Sequence, residues 1–339
     1  MGTQIDAAVP CLDMSQQENV LAAQLRKACI DTGFFYVANH GVAEDLIEQT
    51  FEENRKFFAL PEASKREILA DKNNRGWTPL SEETLDTANQ TEGDTKEGLY
   101  FGREVPADSP EAAQPLHGPN QWPSQELLPE YRRVSEAYFG AVTNLGMRLL
   151  RLLALALGLA PDYFLPMFGR PMLFLRPLHY IPRRSQPDQG IFAAGAHSDY
   201  GMLTLLATDD APGLQIWLES AGRFVDVPPR KGAFIINLGD MLERWTNGLF
   251  KSTLHRVVTD GSRHRYSIPF FFEPDFDTCV ECLPCCCGPD NPPRYPPTTS
   301  GQHLLDKYAQ THSGYEATSK ATNGVSAHAS HAGVLEGAA

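Results

Sequence analysis

The chain has 339 residues, 42% hydrophobic and 21% charged, the balance of an ordinary globular protein with ample material for a core. Its 29 Lys and Arg stand against 42 Asp and Glu, a net charge of −13, which argues against nucleic acid as an electrostatically bound partner. The start, Met1-Gly2-Thr3-Gln4-Ile5-Asp6, has neither a basic nor an apolar signal region, and Asp6 breaks the myristoylation pattern. The most apolar run, Leu149 to Ala160, is interrupted by Arg151 and too short to span a bilayer. These features predict a cytoplasmic protein with no membrane partner.

The first part of the chain reads as mainly helical. Ser15 and Glu18 form a capping-box pattern before Val20-Leu21-Ala22, and Gly33 stands where a helix C′ residue belongs. Phe34-Phe35-Tyr36-Val37 is a strand-forming run followed by the turn-like Asn39-His40-Gly41. Ile47, Phe51 and Phe58 recur at helical spacing until Pro61 ends the pattern. Residues 70–123 are polar and rich in Pro and Gly, and read as a long functional or disordered loop. Within it, Arg75-Gly76-Trp77 and Gly98-Leu99-Tyr100-Phe101-Gly102 carry aromatics that a plain linker would not need. Pro129 opens a long helical pattern through Leu145, Leu149 and Leu153 that Gly158 closes, and this helix is expected to back a sheet.

From Met172 the character changes. Strands are predicted at Leu173–Tyr180, Met202–Ala207, Leu214–Leu218, Phe224–Val227, Ala233–Asn237, Ser252–Val258 and Tyr266–Phe272. Asp210-Ala211-Pro212-Gly213, Asn247-Gly248 and Asp260-Gly261 mark turns between them. The expected fold is α+β, a double-stranded β-helix (jelly-roll) core with N-terminal helices packed against it. The expected division is 1–120 for a helical N-terminal region with a long loop, 121–310 for the helix-backed core, and 311–339 for a disordered tail of Ala, Ser, Gly and Thr. His328 and His331 in that tail read as solvated. Cys279, Cys282, Cys285, Cys286 and Cys287 admit a zinc or iron–sulfur reading, but three contiguous cysteines beside Pro284 and Pro289 favour a structural role.

The informative constellation is His197-Ser198-Asp199 with the remote His255, followed by Arg265-Tyr266-Ser267. Residues i and i+2 of a strand share a face, so His197 and Asp199 can hold one ion together. Two imidazoles and one carboxylate leave half of an octahedral shell open, the ligand set of non-haem ferrous oxygenases. In a jelly roll the strands bearing His197 and His255 lie side by side. Arg265 and Ser267 share one face of a late strand, where a guanidinium meets the far carboxylate of a metal-bound dicarboxylate two-pronged. Tyr180 offers a further phenolic hydrogen bond.

With these motifs the chain resembles the non-haem iron, 2-oxoglutarate-dependent dioxygenases of the isopenicillin N synthase-like superfamily. The likeness runs from about Val9 to Tyr308. It includes Asp31-Thr32-Gly33-Phe34-Phe35-Tyr36-Val37-Ala38-Asn39-His40-Gly41, the stretch from Gly239 to Gly248, and Arg265-Tyr266-Ser267-Ile268-Pro269-Phe270-Phe271. The resemblance implies His197, Asp199 and His255 as iron ligands, with Arg265, Ser267 and Tyr180 as holders of 2-oxoglutarate. Ser198 replaces the family's usual Thr and is expected to point away from the metal. The implied activity is oxidation of a small organic molecule (hydroxylation, desaturation or ring closure) with release of succinate and CO2. Fe(II), 2-oxoglutarate and O2 are the implied cofactors, with ascorbate a candidate reductant. Trp77, Tyr100, Phe101 and Phe272 are candidate substrate contacts, with core packing the competing role of each. Two alternatives stay open on the residues alone: an oxidase of this fold that dispenses with 2-oxoglutarate, and a non-catalytic metal-binding relative. Oligomeric state is not legible.

Overall fold

The computed structural model describes residues 9–311; the expected tail, with His328 and His331, lies outside the described residues. The chain begins with β1 (Cys11–Asp13), α1 (Glu18–Asp31), β2 (Phe34–Ala38), α2 (Glu44–Phe58) and the short α3 (Glu62–Arg66). There follow β3 (Gly76–Thr78), β4 (Lys96–Gly102) and the long α4 (Tyr131–Ala156). The core strands are β5 (Pro171–Leu175), β6 (Leu178–Tyr180), β7 (Ala194–His197), β8 (Leu203–Thr208), β9 (Leu214–Leu218), β10 (Arg223–Asp226) and β11 (Ala233–Leu238). After α5 (Asp240–Trp245) come β12 (His255–Val257), β13 (Arg265–Asp275), β14 (Cys279–Val280), β15 (Thr298–Thr299) and α6 (Ser300–Thr311).

A nine-stranded sheet runs β1-β2-β11-β8-β13-β5-β4-β3, with β6 bridging β13 and β4, and a four-stranded sheet runs β10-β9-β12-β7. Together they make the jelly-roll core. The helices pack on the outer face of the larger sheet: Phe139 of α4 meets Phe270 edge-on with ring centroids 4.9 Å apart. By length and hydropathy α4 has the makings of a membrane span, yet half of its most apolar window is buried against this core. The inner layer beyond the site is apolar, built from Phe34, Tyr36, Leu214, Ile216 and Ile235.

Every predicted strand is present, with Leu173–Tyr180 divided into β5 and β6 at Arg176-Pro177. The helix ends also follow chemistry: Gly33 sits just past α1 with φ +64°, a conformation that costs other residues. The capping box does not form. Gln17 is the N-cap of α1 without a side-chain bond, and Ser15 instead donates to Asp13 Oδ1 at 2.7 Å. The larger correction concerns residues 70–123, which are not a plain loop. They hold β3 and β4, and β4 pairs with both β5 and β6. The N-terminal region is therefore woven into the core sheet rather than appended to it. Its strand character was hidden by Lys96 and Glu97, buried charges that an apolar pattern does not announce. Lys96 is compensated by Asp94 and Glu83, and Glu97 by Lys65 at 2.7 Å.

Candidate active site

β7 and β12 pair antiparallel and set His255 directly opposite His197. Asp199 follows two residues beyond His197. His255 Nε2 lies 3.6 Å and His197 Nε2 3.8 Å from Asp199 Oδ1, and the donor atoms of all three fall within 4.8 Å of one another. Donors held about 2.1 Å from one ion stand roughly 3–3.5 Å apart, so a small inward shift closes this set on a metal. Among the described residues no other group of His, Cys, Asp and Glu converges in this way.

The neighbours fix each donor. His197 Nδ1 lies 2.8 Å from Gly195 O and His255 Nδ1 3.1 Å from Thr253 O. A carbonyl only accepts, so both Nδ1 atoms carry the proton and both Nε2 lone pairs are left for the ion. Asp199 Oδ2 accepts from Asn237 Nδ2 at 2.6 Å and from Thr204 Oγ1, which leaves Oδ1 free. Thr204 on β8 and Asn237 on β11 are register partners. Sequence reading missed both, although each is a polar residue at an inward position of an otherwise apolar strand. Burial, reinforced by His255, pushes His197 down to about 4, so the imidazole is a neutral ligand at ordinary pH. Burial works to raise Asp199, but the two imidazoles and the bonds from Asn237 and Thr204 outweigh it and hold the group below the usual carboxylate range.

Arg265 and Ser267 lie on the inward face of β13, each 2% exposed. Tyr180 is the register partner of Arg265 on β6, and its ring lies under the guanidinium at 4.7 Å. Arg265 Nε and Nη1 are buried and have no hydrogen-bond partner. Asp209 is close enough to feel this charge, yet it turns its oxygens to the backbone N–H groups of Ala211 and Tyr266. A buried guanidinium with two unspent donors calls for an anion. The donor set and this arginine fit a ferrous ion with 2-oxoglutarate.

On the other side of the triad a cleft of about 520 Å³ of atom-free space opens to solvent. It is lined by His197 and Asp199 together with Tyr100, Phe174, Arg176, Phe271 and Glu273. Leu304 and Tyr308 of α6 also line it. Ser198 also borders this cleft. Of the four candidate substrate contacts, only Tyr100 is here. Trp77 pairs with Leu99 in register and donates its indole N–H to Glu97. Phe101 stacks on Trp122 with centroids 4.3 Å apart. Phe272, fully buried, stacks on Phe168. All three sit at outward strand positions and pack the core. Arg176 and Glu273 were missed as cleft residues. Arg176 is ion-paired with Glu83 and lies over the Tyr100 ring at 4.3 Å.

The cysteine cluster gathers around Leu283, whose carbonyl takes hydrogen bonds from Cys282 and Cys287. Burial pushes the Cys282 thiol up to about 11 and Cys286 to about 12, and among the described residues these cysteines form no converging set of three metal donors.

Comparison with known proteins agrees with this geometry. Residues 9–125 match the model of the N-terminal region of "non-haem dioxygenase in morphine synthesis", and residues 174–274 that of the 2OG-Fe(II) oxygenase superfamily. The azadirone synthase LFS of Melia azedarach is 37% identical over 307 residues, covering 88% of this chain and 92% of that protein. The chain belongs to the 2OG-Fe(II) oxygenase superfamily. The 2-oxoglutarate-Fe(II) type oxidoreductase hxnY of Emericella nidulans is likewise 37% identical, over 88% of this chain and 87% of its own length. Among solved structures, a Neurospora crassa protein in complex with alpha-KG and thymine superposes with a TM-score of 0.79 at 28% identity, covering 89% of this chain and 96% of the other. This oxygenase is an oxidoreductase that uses Fe(II), 2-oxoglutarate and O2 on small molecules.

Proposed function

We propose that His197, Asp199 and His255 hold the ferrous ion, that Arg265, Ser267 and Tyr180 hold the distal carboxylate of 2-oxoglutarate, and that the cleft beside Tyr100 takes the organic substrate. The observation that carries this reading is the convergence of three correctly oriented donor atoms within 4.8 Å. When bound, the iron and its co-substrates supply the oxidising power, with succinate and CO2 as co-products. The chain supplies geometry. Gly195, Thr253, Thr204 and Asn237 aim the ligands, Arg265 orients the co-substrate, and Phe174, Phe271 and Leu304 exclude water from the side where substrate lies. The thymine of the Neurospora crassa complex and the product named for azadirone synthase support a compact organic substrate rather than a macromolecule. The test is succinate release, screened over a metabolite extract and quantified against oxidised product, with Asp199→Ala as control. The expected result is at least one metabolite that raises succinate release in the wild type and not in the variant. Equal release by both proteins overturns the assignment.

A further inference from the structure

The inward face of β13 carries Arg265, Ser267, Pro269, Phe271 and Glu273 in turn, since alternate residues of a strand share a face. Glu273 therefore stands at the opposite end of this row from the co-substrate arginine, in the cleft wall. It is 2% exposed, and its Oε2 accepts the Met202 backbone N–H. The carboxyl group packs directly on Gly201, where a Cβ would overlap it. No cation pairs with it among the described residues. Arg176, the basic group that lines this cleft, is committed to Glu83 and the Tyr100 face, and Lys96 on β4 to Asp94 and Glu83. A carboxylate so placed would be buried without counter-charge, a costly state that protonation removes. Burial accordingly raises the group to about 8. With Oε2 engaged as an acceptor, the acid's O–H is left to donate.

We propose that Glu273 determines substrate specificity, donating a hydrogen bond as a carboxylic acid to a neutral acceptor oxygen (a carbonyl or ring ether) of a molecule lying over Phe174 and Phe271. This rests on the reading of the cleft as the substrate site. Basic amines are disfavoured, because an un-ionised Glu273 offers them no counter-charge. The expected substrates are neutral, flat, oxygenated molecules.

The test uses three probes of one skeleton: indanone, with the acceptor oxygen; indane, without it; and aminoindane, with a cation in its place. Their binding to the iron- and 2-oxoglutarate-loaded enzyme is measured by calorimetry without oxygen. The wild type is expected to bind indanone about five- to tenfold more tightly than indane, the worth of one well-placed hydrogen bond, and aminoindane least tightly. Glu273→Gln keeps a donor and should retain the preference within about threefold, whereas Glu273→Leu should bind indanone and indane alike. The proposal is overturned if wild type does not favour indanone, if aminoindane binds best, if Glu273→Gln loses the preference, or if Glu273→Leu keeps it. The wild-type and Gln arms decide the matter even if the Leu protein does not fold. Basal succinate release by the wild type, measured alongside, separates the two readings. Its absence strikes the proposed function, while its presence without an indanone preference strikes only this inference.

Discussion

The two faces of β13 divide the molecule's labour. Inward, Arg265, Ser267, Phe271 and Glu273 line the space where chemistry is proposed. Outward, Tyr266, Phe270 and Phe272 bind the sheet to its helices and neighbouring loops, with Phe270 against Phe139 of α4 and Phe272 on Phe168. The difference teaches that residue type says little about role here. Phe271 and Phe272 are adjacent and chemically identical, yet one borders the cleft and the other is core.

The sharpest way to break this comparison is to truncate one residue from each face. Arg265→Ala strands a carboxylate in a buried site, an effect of roughly 3–5 kcal/mol. It should weaken 2-oxoglutarate binding to the iron-loaded protein by about two to three orders of magnitude, with little change in unfolding free energy. Phe272→Ala should do the reverse, costing about 3–5 kcal/mol of stability while leaving co-substrate affinity within a few-fold. Denaturant titration beside calorimetry reads both, and the comparison fails if the two effects are exchanged or shared.

A smaller effect is expected one layer out from the ligands. Asn237→Ala removes a hydrogen bond from Asp199 Oδ2 without touching Oδ1, and should lower iron affinity about 10–100-fold. Unchanged affinity in an anaerobic iron titration would show that the carboxylate needs no such guide.

The last effect concerns pH. Glu273 is raised in the folded protein to about 8 from an ordinary 4.5, so the folded state binds the proton more tightly than the unfolded chain. Its contribution is complete below about 4.5 and is lost as pH rises toward 8. His197 has the opposite sign: lowered to about 4, it withdraws stability from the metal-free protein as pH falls from about 6.5 toward 4. The midpoint of Glu273→Gln relative to wild type should therefore climb between pH 5 and pH 8. A constant difference would mean that Glu273 does not titrate in this window.

The same parity explains what was legible in the sequence. His197, Asp199, His255, Arg265 and Ser267 could be singled out because their spacing obeys the strand period and their chemistry is uncommon in an apolar setting. The rule that groups Arg265 with Ser267 also places Phe272 on the opposite face, and groups Tyr100 with Lys96 rather than with Phe101. Applied throughout, it would have separated Tyr100 from Phe101 and Phe272, while the face of Trp77 follows only from its pairing with Leu99. Other features were hidden for physical reasons. β4 reads as polar because Lys96 and Glu97 are charged, and only the fold shows them buried and neutralised by Lys65, Glu83 and Asp94. Arg176 and Glu273 resemble surface residues until the fold buries them. Thr204 and Asn237 gain their meaning only when β8 and β11 pair in register beside Asp199.

The central claim is that Asp199 and two histidines close on one ferrous ion. Anaerobic titration of Fe(II) into the metal-free wild type and Asp199→Ala tests it most directly. The account predicts one tight equivalent in the wild type and none at the same concentrations in the variant. Tight stoichiometric iron binding by Asp199→Ala would contradict it.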